Sequence, residues 1–168
     1  MIRVVEATTE AQLEEARRVL RTFPDHQREQ YLDDLHIVNK YFDDAAYALE
    51  LRDLGVIYGP PHGCVLLAYH NDRPAGAICL KRLDDRHCEM KRLFVLKAFR
   101  RKGIARTLAN ELLDRARSRG YTCMRLDTGT FMVQSRALYE TMGFGYIGPY
   151  YPVREDLRDG LVYMELEL

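Results

Sequence analysis

Between Met90 and Asn110 the chain carries Lys91, Arg92, Lys97, Arg100, Arg101, Lys102 and Arg106 and not one carboxylate. The stretch begins in an apolar run ending Leu93-Phe94-Val95 and crosses a basic loop, Lys97–Gly103. It then continues as Ile104, Leu108, Leu112 and Ala116 at helical spacing. Strand, cationic glycine-containing loop and helix in that order constrain the fold strongly. The first turn of a helix leaves backbone N–H groups without partners and adds partial positive charge, so such a loop is suited to phosphate. Gly103 lets the backbone take a positive φ or approach an anion closely, and Ala105 is small where a larger side chain would obstruct. The alternative is a solvated basic loop capping an ordinary helix. Neither GxxxxGK[ST] nor GxGxxG is present, which excludes a P-loop and a dinucleotide-binding fingerprint.

The chain has 168 residues with 25 basic and 25 acidic side chains, 47% hydrophobic and 30% charged. That balance is too apolar for a disordered chain and too charged for a membrane bundle, and the length suits one domain over residues 1–168. The zero net charge hides a pattern. Residues 73–125 hold 15 basic and 5 acidic side chains, against 7 and 12 in residues 1–60 and 3 and 7 in residues 126–168. A basic centre between acidic flanks points to a local anion site rather than a nucleic-acid surface. Cys64, Cys79, Cys88 and Cys123 form no CxxC pair and sit in or beside apolar runs, as reduced core thiols do, with no metal site. No apolar run has the length of a signal peptide or a membrane span, so a cytoplasmic protein without a membrane partner is expected.

Ile2–Ala7 alternates as a first strand. Thr9 and Gln12 resemble a capping box before Leu13, Ala16, Leu20 and Phe23, with Pro24 ending that helix. Tyr31, Leu35, Val38 and Phe42 predict a second helix. A third piece with Ala46 and Leu49 stops near Gly55. Strand patterns follow: Cys64–His70 and Pro74–Leu80 as a hairpin about Asn71-Asp72, then Cys88–Leu96. After the basic loop come the helix from Ile104 capped by Gly120, a strand Thr122–Asp127, a helix Val133–Met142 capped by Gly143, and a strand from Phe144 to Ile147. A loop Gly148–Gly160 and a last strand Leu161–Leu168 complete the order. The pattern predicts an α/β (α+β) fold: a mixed, mostly antiparallel sheet of six to seven strands with helices on both faces. Residues 1–60 form a helical opening, and residues 61–168 the core.

Arg100-Arg101-Lys102-Gly103-Ile104-Ala105 matches the fingerprint [QR]-x-x-G-x-[GA], and Ala137-Leu138-Tyr139-Glu140-Thr141-Met142-Gly143-Phe144 reads ALYxxxGF. With one helix and one strand between them, these motifs resemble the GCN5-related N-acetyltransferase (GNAT) family over roughly residues 60–168. The resemblance implies acetyl-CoA as acyl donor. Its pyrophosphate would lie on the amides of Arg100, Arg101, Lys102, Gly103, Ile104, Ala105 and Arg106, and its pantetheine arm would pair with Leu93, Phe94 and Val95 like an added strand.

The resemblance also makes Tyr139 the general acid. A phenol of pKa about 10 is matched to donating toward a leaving thiol of pKa about 8.5 only when well placed. A base for the acceptor amine has two candidates, Asp127 at the end of one strand and Glu89 on another, where different family members carry a catalytic glutamate. Each has a structural alternative, as an acid paired with Arg125 or Arg92. Departures from the family pattern are Lys97 in place of a frequent proline, Arg101 in place of a frequent glycine, and Met132 with Ser135 in place of N-x-x-A. The missing asparagine removes a side-chain contact to the cofactor arm.

Substrate choice falls to the least family-like parts. Tyr146, Tyr150, Tyr151 and Arg154 suit an amine bearing a carboxylate, such as an amino acid, or else pack as a tyrosine-rich surface loop. His26, Gln27, Arg28 and Tyr31 lie in the opening. Asp33, Asp34, Asp43 and Asp44 would suit a cationic amine or basic peptide, or else form solvated helix faces. The expected function is acetyl transfer to a small amine or amino acid, with a homodimer compatible with it. The alternatives are transfer to a protein N-terminus or lysine, and a non-catalytic acyl-CoA-binding module.

Overall fold

The computed structural model describes residues 1–168. Seven strands form one sheet in the order β1-β2-β3-β4-β5-β7-β6. They are β1 (Ile2–Glu6), β2 (Cys64–His70), β3 (Arg73–Arg82), β4 (His87–Val95), β5 (Cys123–Gly129), β6 (Gly145–Ile147) and β7 (Leu161–Glu167). Every pairing is antiparallel except β4 with β5. Asn71 and Asp72 take φ of 49° and 62°, the left-handed turn that matches the twist of the β2–β3 hairpin.

The alternation within β2 explains its unbroken apolar run. Cys64, Leu66 and Ala68 face one core, which is closed by α6 (Ile104–Ser118) and α7 (Val133–Thr141). Val65, Leu67 and Tyr69 face a second core on the other side, beneath the helical opening. A strand buried on both faces carries no polar stripe. The opening consists of α1 (Glu10–Arg21), α2 (Phe23–Gln30), α3 (Leu35–Tyr41), α4 (Asp44–Arg52) and the short α5 (Leu54–Ile57). Thr9 and Gln12 close a capping box on α1. All four cysteines are free and buried.

Three expectations are corrected here. Pro24 does not end a helix; it lies in the first turn of α2, where its missing N–H has no partner to lose. The stripe from Tyr31 to Phe42 is broken by a 3-10 turn at Leu32–Asp34, leaving only Leu35–Tyr41 as α-helix. On α4 the buried residues are Tyr47 and Leu51, whereas Ala46 and Leu49 face outward. The loop Gly148–Gly160 also contains a 3-10 turn, Glu155–Gly160.

Two irregularities position the site. β4 and β5 pair only through His87↔Cys123, Cys88↔Met124 and Glu89↔Arg125. Beyond that point β4 stays with β3 and β5 turns to β7, so the sheet splays. Across the β3–β4 register shift, Arg92 and Leu93 together oppose Ile78. Arg92 has φ of 60° at this bulge, which bends the strand toward the splay.

Candidate active site

Two adjacent cavities occupy the splay. The outer is a groove of about 900 Å³ between the basic loop, α2 and the start of α7. The inner is a narrow cavity of about 70 Å³ between α3, β4, β5 and α7. Phe23, Gln27, Leu93, Phe131, Met132 and Ser135 line both.

The groove has the makings of an anion site. Gly103 caps α6 at φ of 80°, with open space where a Cβ would stand, so glycine serves the backbone conformation there rather than a close approach. The amides of residues 101–106 donate to no backbone or side-chain acceptor in the chain. Arg101 takes φ of 58°, a left-handed conformation uncommon for a residue other than glycine. Lys97, Arg101 and Lys102 are exposed, and no side chain of the protein pairs with them. Arg100 Nε donates to the Val95 carbonyl at 3.1 Å, and Arg106 reaches Thr141 Oγ1 at 2.6 Å, tying α6 to α7. Phe94 is turned into the core, stacked on Phe23 at 4.6 Å between centroids. Burial and the charges of Arg100 and Lys97 lower the pKa of His26, which lies on the groove wall.

The inner cavity holds the titratable groups. Asp127, with a side chain only 3% exposed, accepts from Tyr41 at 2.6 Å and from Tyr151 at 2.5 Å. Lys91 Nζ stands 3.9 Å from Asp127 Oδ2 and donates to the Tyr41 hydroxyl at 3.3 Å. Tyr139 lines the same cavity from α7. Burial, with the nearby Tyr41 and Asp127, holds its hydroxyl pKa well above the usual phenol range, and burial pushes Tyr41 up to about 12. These phenols are kept neutral, able to donate. Glu89 sits at the splay point, 5% exposed, where Tyr150 donates to it; it does not line the cavity.

Arg92 leaves the bulge toward α4. Its guanidinium bonds Glu50 twice, at 3.0 and 2.7 Å, and lies over the rings of Tyr41, Phe42 and Tyr47 at 5.1–5.5 Å. Met132, in place of the asparagine, presents its sulfur to Thr128 Oγ1 at 3.5 Å and Gln27 Nε2 at 3.7 Å.

Of the substrate-side residues, His26, Gln27 and Tyr31 line the groove, while Tyr150 and Tyr151 serve the two carboxylates. Arg154 is exposed and paired with Asp156. Arg28 ties α2 to Asp25, Asn39 and Asp44. Asp43 caps α4. Tyr41, Lys91 and Glu50 are site residues the motifs do not mark. Cys123, Glu165 and Glu167 cluster on the β5–β7 pair away from both cavities, and Arg125 bonds Glu165 there.

Residues 11–144 match the acetyltransferase (GNAT) family. The chain belongs to the GNAT family. It is 36% identical over 91 residues to the uncharacterized N-acetyltransferase YsnE of Bacillus subtilis, a match covering 53% of this chain and 60% of that relative's length. Its fold is shared with an acetyltransferase from Streptococcus agalactiae (TM-score 0.77, 20% identity, covering 99% of this chain and 98% of that one). A GNAT acetyltransferase from Elizabethkingia anophelis with acetyl-CoA bound has the same fold (TM-score 0.64, 18% identity, covering 99% and 98%). No helix is long and apolar enough to cross a membrane.

Proposed function

We propose that residues 1–168 form a single acetyl-CoA-dependent N-acetyltransferase domain acting on the primary amine of a small molecule or amino acid. One observation carries this reading: the groove of free amides and unpaired cations shares a wall with a narrow cavity lined by both Tyr139 and Asp127. The groove suits a nucleotide diphosphate, with the amides of residues 101–106 for its phosphates and Lys97, Arg101 and Lys102 for its remaining charge. Bound acetyl-CoA supplies an activated thioester carbonyl. The splayed edge of β4 at Leu93–Val95 receives the arm that carries it, after Arg100 releases the Val95 carbonyl.

Asp127 is the base of choice over Glu89, because Asp127 lines the cavity and Glu89 does not. An acceptor amine passes its proton to the Tyr41 oxygen as the Tyr41 proton moves to Asp127, over the 2.6 Å bond already present. Tyr139 donates its proton toward the sulfur as negative charge develops there. The amide bond forms, the carbon–sulfur bond breaks, and the thiol leaves protonated. The small inner cavity favours a small amine over a protein segment.

The test is thiol release from acetyl-CoA with a panel of small amines, amino acids and peptides. Turnover of small amines supports the reading. Turnover of peptides alone would move the acceptor to proteins, and acetyl-CoA raising the melting temperature without any turnover would make the chain a binding module.

A further inference from the structure

Lys91 is a partly buried cation whose ammonium has hydrogen bonds to spare. Its side chain is 17% exposed and lines the inner cavity. An ammonium carries three donors. The only hydrogen bond its ammonium makes is the 3.3 Å contact to Tyr41. Asp127, at 3.9 Å, is beyond hydrogen-bond range, and both of its oxygens already accept from phenols. Burial works against the charge, but Tyr41, Asp127 and Glu89 outweigh it, so Lys91 stays protonated. Arg92, next to it, is spent on Glu50. An ammonium with two donors free on a cavity wall is suited to an acceptor that arrives with a ligand.

We infer that Lys91 is the anchor for a carboxylate on the acceptor, so that the substrate is a small amino acid whose amine and carboxylate are one or two carbons apart. This rests on the transferase reading above. Lys91 and Asp127 present a cation and an anion 3.9 Å apart on neighbouring strands. That is the mirror of a short aminocarboxylate, with its amine toward Asp127 and Tyr41 and its carboxylate toward Lys91. A phosphate would bring a second charge with no cation to meet it. Most of the remaining lining, including Ile37, Val38, Phe131 and Leu161, is apolar and suits an uncharged side chain, with Gln27, Thr128 and Ser135 as neutral polar neighbours and Arg92 held by Glu50. At about 10–15 Å³ per enclosed water, the 70 Å³ cavity has room for about five to seven waters, which favours a small acceptor.

The experiment compares leucine, 3-methylbutylamine, which is leucine without its carboxylate, and 6-aminohexanoate, whose groups are too far apart. Thiol release is measured with wild type and with Lys91→Met and Lys91→Arg, each checked by its melting temperature. The expected result is a KM for leucine at least about tenfold below that of either other amine. In Lys91→Met that preference disappears with the KM for acetyl-CoA unchanged, and Lys91→Arg keeps part of it. Equal use of leucine and 3-methylbutylamine by wild type overturns the inference while leaving acetyl transfer standing. So does a preference that survives in folded Lys91→Met. If Lys91→Met melts far below wild type, Lys91→Arg and the wild-type comparison decide. If no amine releases thiol, acetyl transfer falls, and calorimetry of leucine with coenzyme A-saturated protein decides the rest. Binding to wild type that is lost in Lys91→Met and kept in part by Lys91→Arg upholds the carboxylate site; no binding to wild type overturns it.

Discussion

Replacing Glu50 with alanine tests whether the β4 bulge is held from the helical opening. The Glu50 and Arg92 side chains are 15% and 11% exposed, joined by bonds of 3.0 and 2.7 Å. Tyr58, 2% exposed, also donates to Glu50. The substitution strips three donors of their acceptor and leaves a buried guanidinium unpaired, a loss of about 3–5 kcal/mol. The rings of Tyr41, Phe42 and Tyr47 keep part of the Arg92 environment and place the loss toward the lower end. For a chain of this size that is a fall of about 6–12 °C in Tm. Burial raises the Glu50 pKa, but the Arg92 hydrogen bonds and charge outweigh it, so the folded value lies below the ordinary one. The contribution is therefore complete above about pH 4.3 and is lost as pH falls through the folded value. Urea unfolding of wild type and Glu50→Ala between pH 3 and 8 reads both magnitude and window. A double-mutant cycle with Arg92→Met must show that the pair loses less than the sum of its singles. A Glu50→Ala loss below about 1 kcal/mol at pH 7, a pH-independent difference, or strict additivity would refute the argument.

Tyr139→Phe should lower kcat by about a hundredfold or more, with acetyl-CoA affinity unchanged by calorimetry; an unaltered rate removes it from proton transfer. Asp127→Asn should lower kcat by at least as much, and Glu89→Gln by less, in the same thiol-release assay; the reverse order would make Glu89 the base. Gly103→Ala meets no steric obstacle, so its loss of about 1–2 kcal/mol comes from φ of 80° alone, visible as a lower Tm together with a weaker acetyl-CoA Kd. Arg101→Gly should relieve the same kind of strain at φ of 58° and raise Tm slightly, while making acetyl-CoA binding less salt-sensitive.

The parts legible in the sequence are those written locally. The basic loop, the turn at Asn71-Asp72 and the glycines ending α6 and α7 each need a particular backbone conformation, and the residues that permit it stand in place. The two faces of β2 left only an apolar run, and that was enough to mark a strand. Pro24 was misleading because proline suits the first turn of one helix as well as the end of another. Ala46 and Leu49 are apolar enough to suggest a buried face, but Tyr47 and its bond to the Leu20 carbonyl decide which side of α4 turns inward. Tyr41 and Asp127 are 86 positions apart, and nothing local announces that they share a hydrogen bond. The same holds for Lys91, whose meaning depends on which groups fail to reach it. Arg154 shows the converse: a basic residue in a suggestive loop that is exposed and paired to a neighbour.

The place of β7 between β5 and β6 has a consequence for synthesis on the ribosome. Strands β1 to β4 pair in sequence order, and α6 packs on them, so that portion has its partners once residue 118 has emerged. β6 has no partner other than β7 and must wait, unpaired, until residues 161–167 follow. Tyr151, which clamps Asp127, lies in the segment between those two strands. Because the chain emerges N-terminus first, every residue lining the outer groove is out before β7, whereas the inner cavity, which takes Leu161 from β7, has its last wall only when that strand follows.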